Sequence, residues 1–324
     1  MKAVLCKAYG LPDSLVVEEV ASLIPAIGEV VVSVRACGVN FPDTLIIQGK
    51  YQFKPAMPFS PGGEVAGIVK LVGEGVPHIS VGDAVIGFTG WGGYAEEAIC
   101  QAANIVPMPP EMSFPLAASF TLAYGTSYHA LKDRAMLKAG ETLLVLGAAG
   151  GVGLAACEIG AAMGAHVIAC ASTDEKLAIC RLHGATDTIN YQTQDLREAI
   201  NQLTKKRGID VVYDPVGGPY TEPALRAMAW KGRYLVVGFA AGEIPKIALN
   251  LTLLKGASIM GVFWGAFIKN EPQVSADNMQ KLLAMVAAGK LTPLISATYP
   301  LEHAADALND VMARRVVGKV VLVT

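Results

Sequence analysis

The chain has 324 residues, 52% of them hydrophobic, with 26 basic against 28 acidic side chains. That length predicts about two domains, and balanced charge with no basic block excludes the electrostatic footprint that nucleic acid or an anionic membrane needs. Six cysteines without a C-x-x-C pair predict buried, reduced thiols rather than a disulfide framework.

The N-terminal stretch Met1–Cys6 has one lysine and a short apolar run, without a long apolar segment or a small-residue cleavage site. It predicts no signal peptide, and with the thiols a cytoplasmic protein. Val16–Val20 and Glu29–Arg35 read as strands joined by a loop at Pro25 and Gly28, and Glu64–Val72 and Ala84–Gly87 read likewise, with turns at Gly73, Gly75, Gly82 and Asp83. Strands this closely spaced predict a compact, partly closed β domain. Pro107-Met108-Pro109-Pro110 is a rigid stop, and a helical run begins near Phe114.

The most informative stretch runs from Glu141 to Asn190. The apolar run Thr142–Leu146 leads into Gly147-Ala148-Ala149-Gly150-Gly151-Val152-Gly153, then a small-residue helical run to Gly164, then a second apolar run, His166–Cys170. Strand, glycine turn, helix and strand in this order predict a dinucleotide-binding βαβ unit. The backbone of Ala149, Gly150, Gly151 and Val152 would meet a pyrophosphate at a helix N-terminus, where unpaired N–H groups and the helix dipole favour an anion. Gly150 is the close-approach position and Gly153 the helix-packing one. The first position of the G-x-G-x-x-G frame is Ala148, with Gly147 one residue earlier. Thr142–Ala171 is apolar enough to suggest a membrane span, but its glycines and its strand-to-helix switch argue for a buried unit.

At the end of the second strand, an NAD site would carry a carboxylate for the ribose 2′-OH. Here Ser172 stands in that place and Lys176 follows within a helical turn; a hydroxyl and a cation suit a 2′-phosphate, and NADPH is expected over NADH. Asp174 points the other way. Beyond this, Ile209–Tyr213, Tyr234–Gly238 and Ala257–Phe263 read as strands and Asp174–His183, Gln194–Arg207, Tyr220–Met228 and Leu249–Leu254 as helices, completing a doubly wound parallel Rossmann sheet. The tail reads as a helix at Ser275–Ala288, a segment at Leu294–Thr298, a helix at Glu302–Ala313 and a last strand at Lys319–Val323. The fold class is therefore α/β, with a coenzyme domain (122–265) inserted in a β-rich domain (1–121 and 266–324). Ala257–Phe263, an apolar outer strand with no charge to blunt it, predicts edge-to-edge pairing into a homodimer.

This order of domains, with Gly38-Val39-Asn40-Phe41-Pro42-Asp43, Pro58-Phe59-Ser60-Pro61-Gly62-Gly63-Glu64-Val65-Ala66-Gly67 and Gly147–Gly153, resembles the medium-chain dehydrogenase/reductase superfamily. Within it the segments look like the zinc-free quinone oxidoreductase (zeta-crystallin-like) branch, with a GroES-like catalytic domain, and the resemblance covers essentially the whole chain. It implies NADPH-dependent hydride transfer to a small quinone or other activated alkene. In zinc-dependent relatives a Cys falls where Asn40 stands and a His where Gly63 stands, and no Cys lies between Cys100 and Cys157 to supply a third ligand. Asn and Gly cannot replace thiolate and imidazole, so no metal is expected.

The resemblance also implies Tyr191 and Arg314 or Arg315 as 2′-phosphate contacts. It places Gly238, Phe239, Phe263 and Trp264, at the carboxyl ends of two strands, along the nicotinamide; ordinary domain-interface packing is the other reading of Phe239 and Trp264. Without a metal, only an acceptor that is already electrophilic can take the hydride. Asn40 and Tyr51 are the candidates to steady the developing enolate oxygen, and Ser127 to touch nicotinamide or substrate, against plain readings as a turn residue, a loop aromatic and a helix-start hydroxyl. Leu45 replaces a tyrosine often found in relatives and predicts a more apolar pocket. Two other readings stay open. One is an enoyl or enone reductase, whose CoA-type substrate would want a basic rim from Lys50, Lys54, Lys132 and Arg134. The other is a non-enzymatic nucleotide-binding protein of crystallin type.

Overall fold

Runs of Val, Ile and Leu pair into three sheets in the computed structural model, which describes residues 1–324. Contacts divide the chain into two units, Met1–Leu122 with Pro293–Thr324, and Ala123–Thr292. The chain begins with an antiparallel pair, β1 (Lys2–Leu5) and β2 (Val16–Glu19). It continues through β3 (Glu29–Val39), the short helix α1 (Phe41–Ile46), β4 (Glu64–Val72), β5 (Ala84–Phe88), β6 (Glu97–Gln101), β7 (Ile105–Pro107) and α2 (Phe114–Ala118).

Next come α3 (Thr121–Tyr128), which runs on as a π-helix over His129–Arg134, then β8 (Thr142–Val145), α4 (Gly151–Ala162), β9 (His166–Ala171), α5 (Asp174–Leu182), β10 (Asp187–Asn190) and α6 (Leu196–Leu203). They are followed by β11 (Ile209–Asp214), α7 (Thr221–Arg226), β12 (Met228–Val236), α8 (Asn250–Lys255), β13 (Ser258–Gly261), α9 (Trp264–Asn270) and α10 (Pro272–Ala287). The chain closes with β14 (Ile295–Pro300), α11 (Ala304–Met312) and β15 (Lys319–Val323).

In the first unit β3 is the hub. It pairs antiparallel with β4, β6 and β15, and the sheet runs β14-β15-β3-β4-β5-β7. Its pairing with β15 sets Val320 opposite Val39, so Lys319 arrives beside the start of α1. Because β4 and β15 keep pairing with it, β3 extends to Val39, past the Arg35 expected from its sequence. Val32, Val34, Cys37, Val65, Tyr94 and Leu322 fill the core behind it.

In the second unit the parallel sheet has the order β10-β9-β8-β11-β12-β13. Numbered along the chain this is 3-2-1-4-5-6, the doubly wound order, whose ligand crevice lies at the carboxyl ends where the order reverses, here β8 and β11. Leu144, Leu146, Ile168, Ile189 and Val212 are buried within it, as strands covered on both faces must be.

Two expected boundaries move. The unit closes at Thr292 rather than at 265, because α9 and α10 pack back on it: the Phe267 ring stacks on His129 at 3.7 Å, and Asn278 Nδ2 donates to Asp133 at 2.8 Å. The strand expected over Tyr234–Gly238 begins at Met228, with Lys231 at φ +62° where its register against β11 shifts. All six cysteines are free and buried. No helix is long and apolar enough to cross a membrane.

Candidate active site

On the second unit, the turn after β8 is built by two glycines. Gly147 adopts φ +58°, a conformation that favours glycine. A Cβ on Gly153 would stand 2.3 Å from the Gly147 carbonyl oxygen, so α4 can approach the turn only with glycine there. The tight-turn role therefore falls to Gly147, and Ala148 behind it is fully buried. A Cβ at Gly150 would meet nothing nearer than 3.5 Å, which leaves its outer side open for a ligand. No side chain caps α4, so the first-turn amides of Gly151 and Val152 present an uncapped, electropositive helix start. A diphosphate fits this arrangement.

The neighbouring turn after β11 is held by Asp214, which the sequence did not single out. Its Oδ1 accepts from the Val216 and Gly217 amides at 2.8 Å each, and its Oδ2 from Thr221 Oγ1 at 3.1 Å and Tyr234 Oη at 2.5 Å. The Asp214 carbonyl also accepts from Val237 and Gly238, which fixes where Gly238 and Phe239 leave the end of β12.

Ala171 pairs with Asn190 across β9 and β10, so Ser172 and Tyr191 leave adjacent strand ends together. Thr173 caps α5 by accepting from the Lys176 amide at 3.3 Å, which holds Lys176 one turn from Ser172. Asp174 accepts from Asn190 Nδ2 at 2.8 Å and is thereby engaged as a strand-to-helix tie. The Tyr191 ring rests against Tyr220 with centroids 4.4 Å apart. Ser172, Lys176 and Tyr191 are thus brought together. Arg314 and Arg315 belong to the first unit; the Arg315 guanidinium is taken up by Asp310, and Arg314 has the left-handed φ of +57°.

Three further expectations need correction. Ser127 is fully buried, donates to the Val152 carbonyl at 2.8 Å and shares a hydrogen bond with Tyr213 at 2.9 Å. It locks α3 to α4 and offers no face to a substrate. Trp264 does not end a strand: β13 stops at Gly261, and Trp264 starts α9 with its ring over Gly125, where a Cβ would be 2.9 Å away. Phe263 stays 45% exposed at the strand end. The basic rim is also largely engaged: Lys132 pairs with Asp133 at 2.6 Å, Lys50 donates to Gln48 at 2.8 Å, and Arg134 Nε donates to the Gly261 carbonyl at 3.1 Å.

On the first unit, Asn40 lies in a buried polar network. Its Nδ2 donates to the Gly38 carbonyl at 3.2 Å and to Glu64 Oε1 at 2.9 Å, and its Oδ1 accepts from Lys319 Nζ. Both amide hydrogens are committed, so Asn40 positions charges rather than donating to a substrate oxygen. Lys319 pairs with Glu64 at 2.7 Å, and the Leu122 amide supplies Glu64 Oε2 at 2.9 Å. One turn on, Asp43 Oδ2 accepts from the Asn40 backbone amide at 2.8 Å and from Tyr94 Oη at 2.9 Å. Burial pushes the Asp43 carboxyl up to about 7, against the pull of those two donors and of Lys319.

Tyr51 is half-buried, and burial, with the Asp43 carboxylate nearby, raises its phenol. No three His, Cys, Asp or Glu side chains converge as metal ligands would. At Gly63 a Cβ would come within 3.3 Å of the Gly90 carbonyl oxygen.

The "Alcohol dehydrogenase GroES-like domain" family matches residues 26–110 and the "Zinc-binding dehydrogenase" family residues 151–284. A sea anemone protein, the quinone oxidoreductase-like protein 2 homolog of Nematostella vectensis, is 41% identical over all of this chain and 89% of its own length. Human quinone oxidoreductase is 35% identical over 99% of this chain and 97% of its own. Among solved structures, the Escherichia coli quinone oxidoreductase complexed with NADPH superposes with a TM-score of 0.94 at 30% identity, covering 100% of both chains. The chain belongs to the medium-chain dehydrogenase/reductase superfamily, in its quinone oxidoreductase-like branch.

Proposed function

We propose that this protein is a metal-independent oxidoreductase that reduces a quinone at the expense of NADPH. The observation that carries the reading is the turn after β8: Gly147 at φ +58°, Gly153 in contact with it, and an uncapped α4. Ala149, Gly150, Gly151 and Val152 would hold the diphosphate and Ser172, Lys176 and Tyr191 the 2′-phosphate. Gly238, Phe239, Phe263 and Trp264 would border the nicotinamide, with Trp264 backing it from its seat on Gly125. When bound, NADPH supplies the hydride.

The chain's own part is to orient and to exclude water. Asn40 is a neutral amide with both hydrogens committed and Ser127 a buried neutral hydroxyl, so neither serves as a base for an alcohol proton, and this favours an acceptor that is already electron-poor. Among acceptors, a quinone is favoured by the names of the relatives. NADPH oxidation measured in parallel with naphthoquinone, methyl vinyl ketone and acryloyl-CoA is expected to be fastest with the quinone. Turnover confined to acryloyl-CoA would make it an enoyl reductase, and tight NADPH binding without turnover would favour a crystallin-type role.

The coenzyme preference has its own test. Exchanging Ser172→Asp together with Lys176→Ala sets a carboxylate against the 2′-phosphate and removes a cation. Losing charge-assisted contacts costs on the order of 2 kcal/mol, so kcat/KM for NADPH should fall roughly 30-fold while that for NADH changes little. Equal losses with both coenzymes would refute this placement.

The chain also acts as a homodimer in this reading. β13 pairs only with β12 and leaves its other edge open, with Ile259 on it and exposed Trp230, Leu249, Leu253 and Leu254 around it. Short as it is, this edge carries no charge or proline to blunt it, and it invites strand pairing with a second copy. Light scattering at micromolar concentration is expected to show a dimer, and Ile259→Lys a monomer; a monomeric unmodified protein would rule the contact out.

A further inference from the structure

The first unit carries an aromatic arc. The Tyr51 and Phe53 rings meet edge-on with centroids 5.6 Å apart, and Phe53 meets Trp91 at 6.3 Å with the planes tilted by 48°. Trp91 is 43% exposed, which leaves much of a large, flat apolar face open to a ligand. Its loop is laced to the segment before β4. The Thr89 and Gly90 amides donate to the Gly63 carbonyl at 2.8 and 3.2 Å, Gly92 donates to Ser60 at 2.7 Å, and Gly93 to Gly62 at 2.9 Å. The indole is therefore anchored at its backbone while its ring stays accessible.

The two ends of the arc are informative. Tyr51 lies close enough to Asp43 to feel its charge, and Asp43 is bonded to the Asn40 amide. Trp91 hangs from the loop fastened to Gly63. Asn40 Nδ2 donates to Glu64 Oε1 at 2.9 Å, and Glu64 directly follows Gly63, so both ends of the arc are tied to the one buried polar network around Asn40.

We infer that Trp91 is a specificity-determining residue whose exposed indole stacks on fused-ring quinones and selects them over single-ring and aliphatic acceptors. Phe53, edge-on to Tyr51 and tilted against Trp91, sets the angle of the face. A flat acceptor of two or three fused rings can cover such a face, and a small enone cannot. The assignment rests on the quinone reading above.

The test compares Trp91→Ala and Trp91→Phe with the unmodified enzyme on phenanthrenequinone, benzoquinone and methyl vinyl ketone. Loss of one stacking face should raise KM for phenanthrenequinone about tenfold in Trp91→Ala with kcat within about twofold. Methyl vinyl ketone should change less than about twofold, and Trp91→Phe should retain most of the preference. Equal losses on all three acceptors, or none on phenanthrenequinone, would overturn it. Should the unmodified enzyme reduce none of them, the quinone reading fails. The stacking is then judged by the fluorescence anisotropy of phenanthrene, which is redox-inert here: binding lost only in Trp91→Ala upholds it, and equal binding by all three proteins refutes it.

Discussion

Lys319→Met is expected to destabilise the first unit by about 3–5 kcal/mol, the cost of breaking one side of a buried ion pair. Glu64 is fully buried and Lys319 is 5% exposed, so neither charge can turn to water when the other is lost. The carboxylate would keep the Asn40 side chain and the Leu122 amide as donors but no cation. Met matches the apolar stem of lysine, so the change removes the charge with little loss of volume. Adding Glu64→Gln should return about 2 kcal/mol, since a neutral amide can accept from Leu122 and donate to a turned-over Asn40. Urea denaturation of the three proteins measures both effects. A single-variant loss below about 1 kcal/mol would mean that this pair is not the desolvated element described here.

That pair also marks the limit of what the residues reveal in order. Five of the six strands of the parallel sheet are legible as apolar runs bounded by turn residues; the outer strand β10, Asp187–Asn190, has one aliphatic residue among polar ones and is not. The turn at Gly147–Gly153 is legible because phosphate binding demands glycines at short, regular spacing. Lys319 and Glu64 are separated by 255 positions, and only the pairing of both β15 and β4 with β3 brings them together. A lysine in an apolar last strand was nonetheless a sign, because such a residue needs a buried partner.

Asp43, three residues after Asn40, was a local sign of another kind, the spacing at which a carboxylate returns to cap a helix start. Read as a capping pattern it would have shown α1, whose six residues are too few for periodicity. The Ser127 assignment failed because a hydroxyl near a coenzyme turn looks the same in sequence whether it faces out or in. The π-helix that begins at His129 likewise has no mark in the order of residues; a widened turn shifts every later side chain around the helix.

Asp43 supplies the second large effect, and it depends on pH. Unfolded aspartate titrates near ~3.9, whereas burial holds the folded carboxyl at about 7. Between these values the folded chain binds more protons than the unfolded one. The contribution of Asp43 is thus fully present below the unfolded value and is lost as pH rises through the folded one. At about 1.4 kcal/mol per pKa unit the swing is on the order of 3–4 kcal/mol. Both of its hydrogen bonds end on Oδ2, so a proton on Oδ1 leaves them intact, and Asp43→Asn imitates that protonated form at every pH. Glu64, Lys319, Tyr94 and Cys37 surround the site in both proteins, so the difference between the two isolates Asp43. Denaturant unfolding between about pH 5 and about pH 8 should therefore show the unmodified protein losing stability relative to Asp43→Asn as pH rises. A difference that stays flat across that window would show that Asp43 remains ionised in the folded chain, with the Asn40 and Tyr94 donors outweighing its burial.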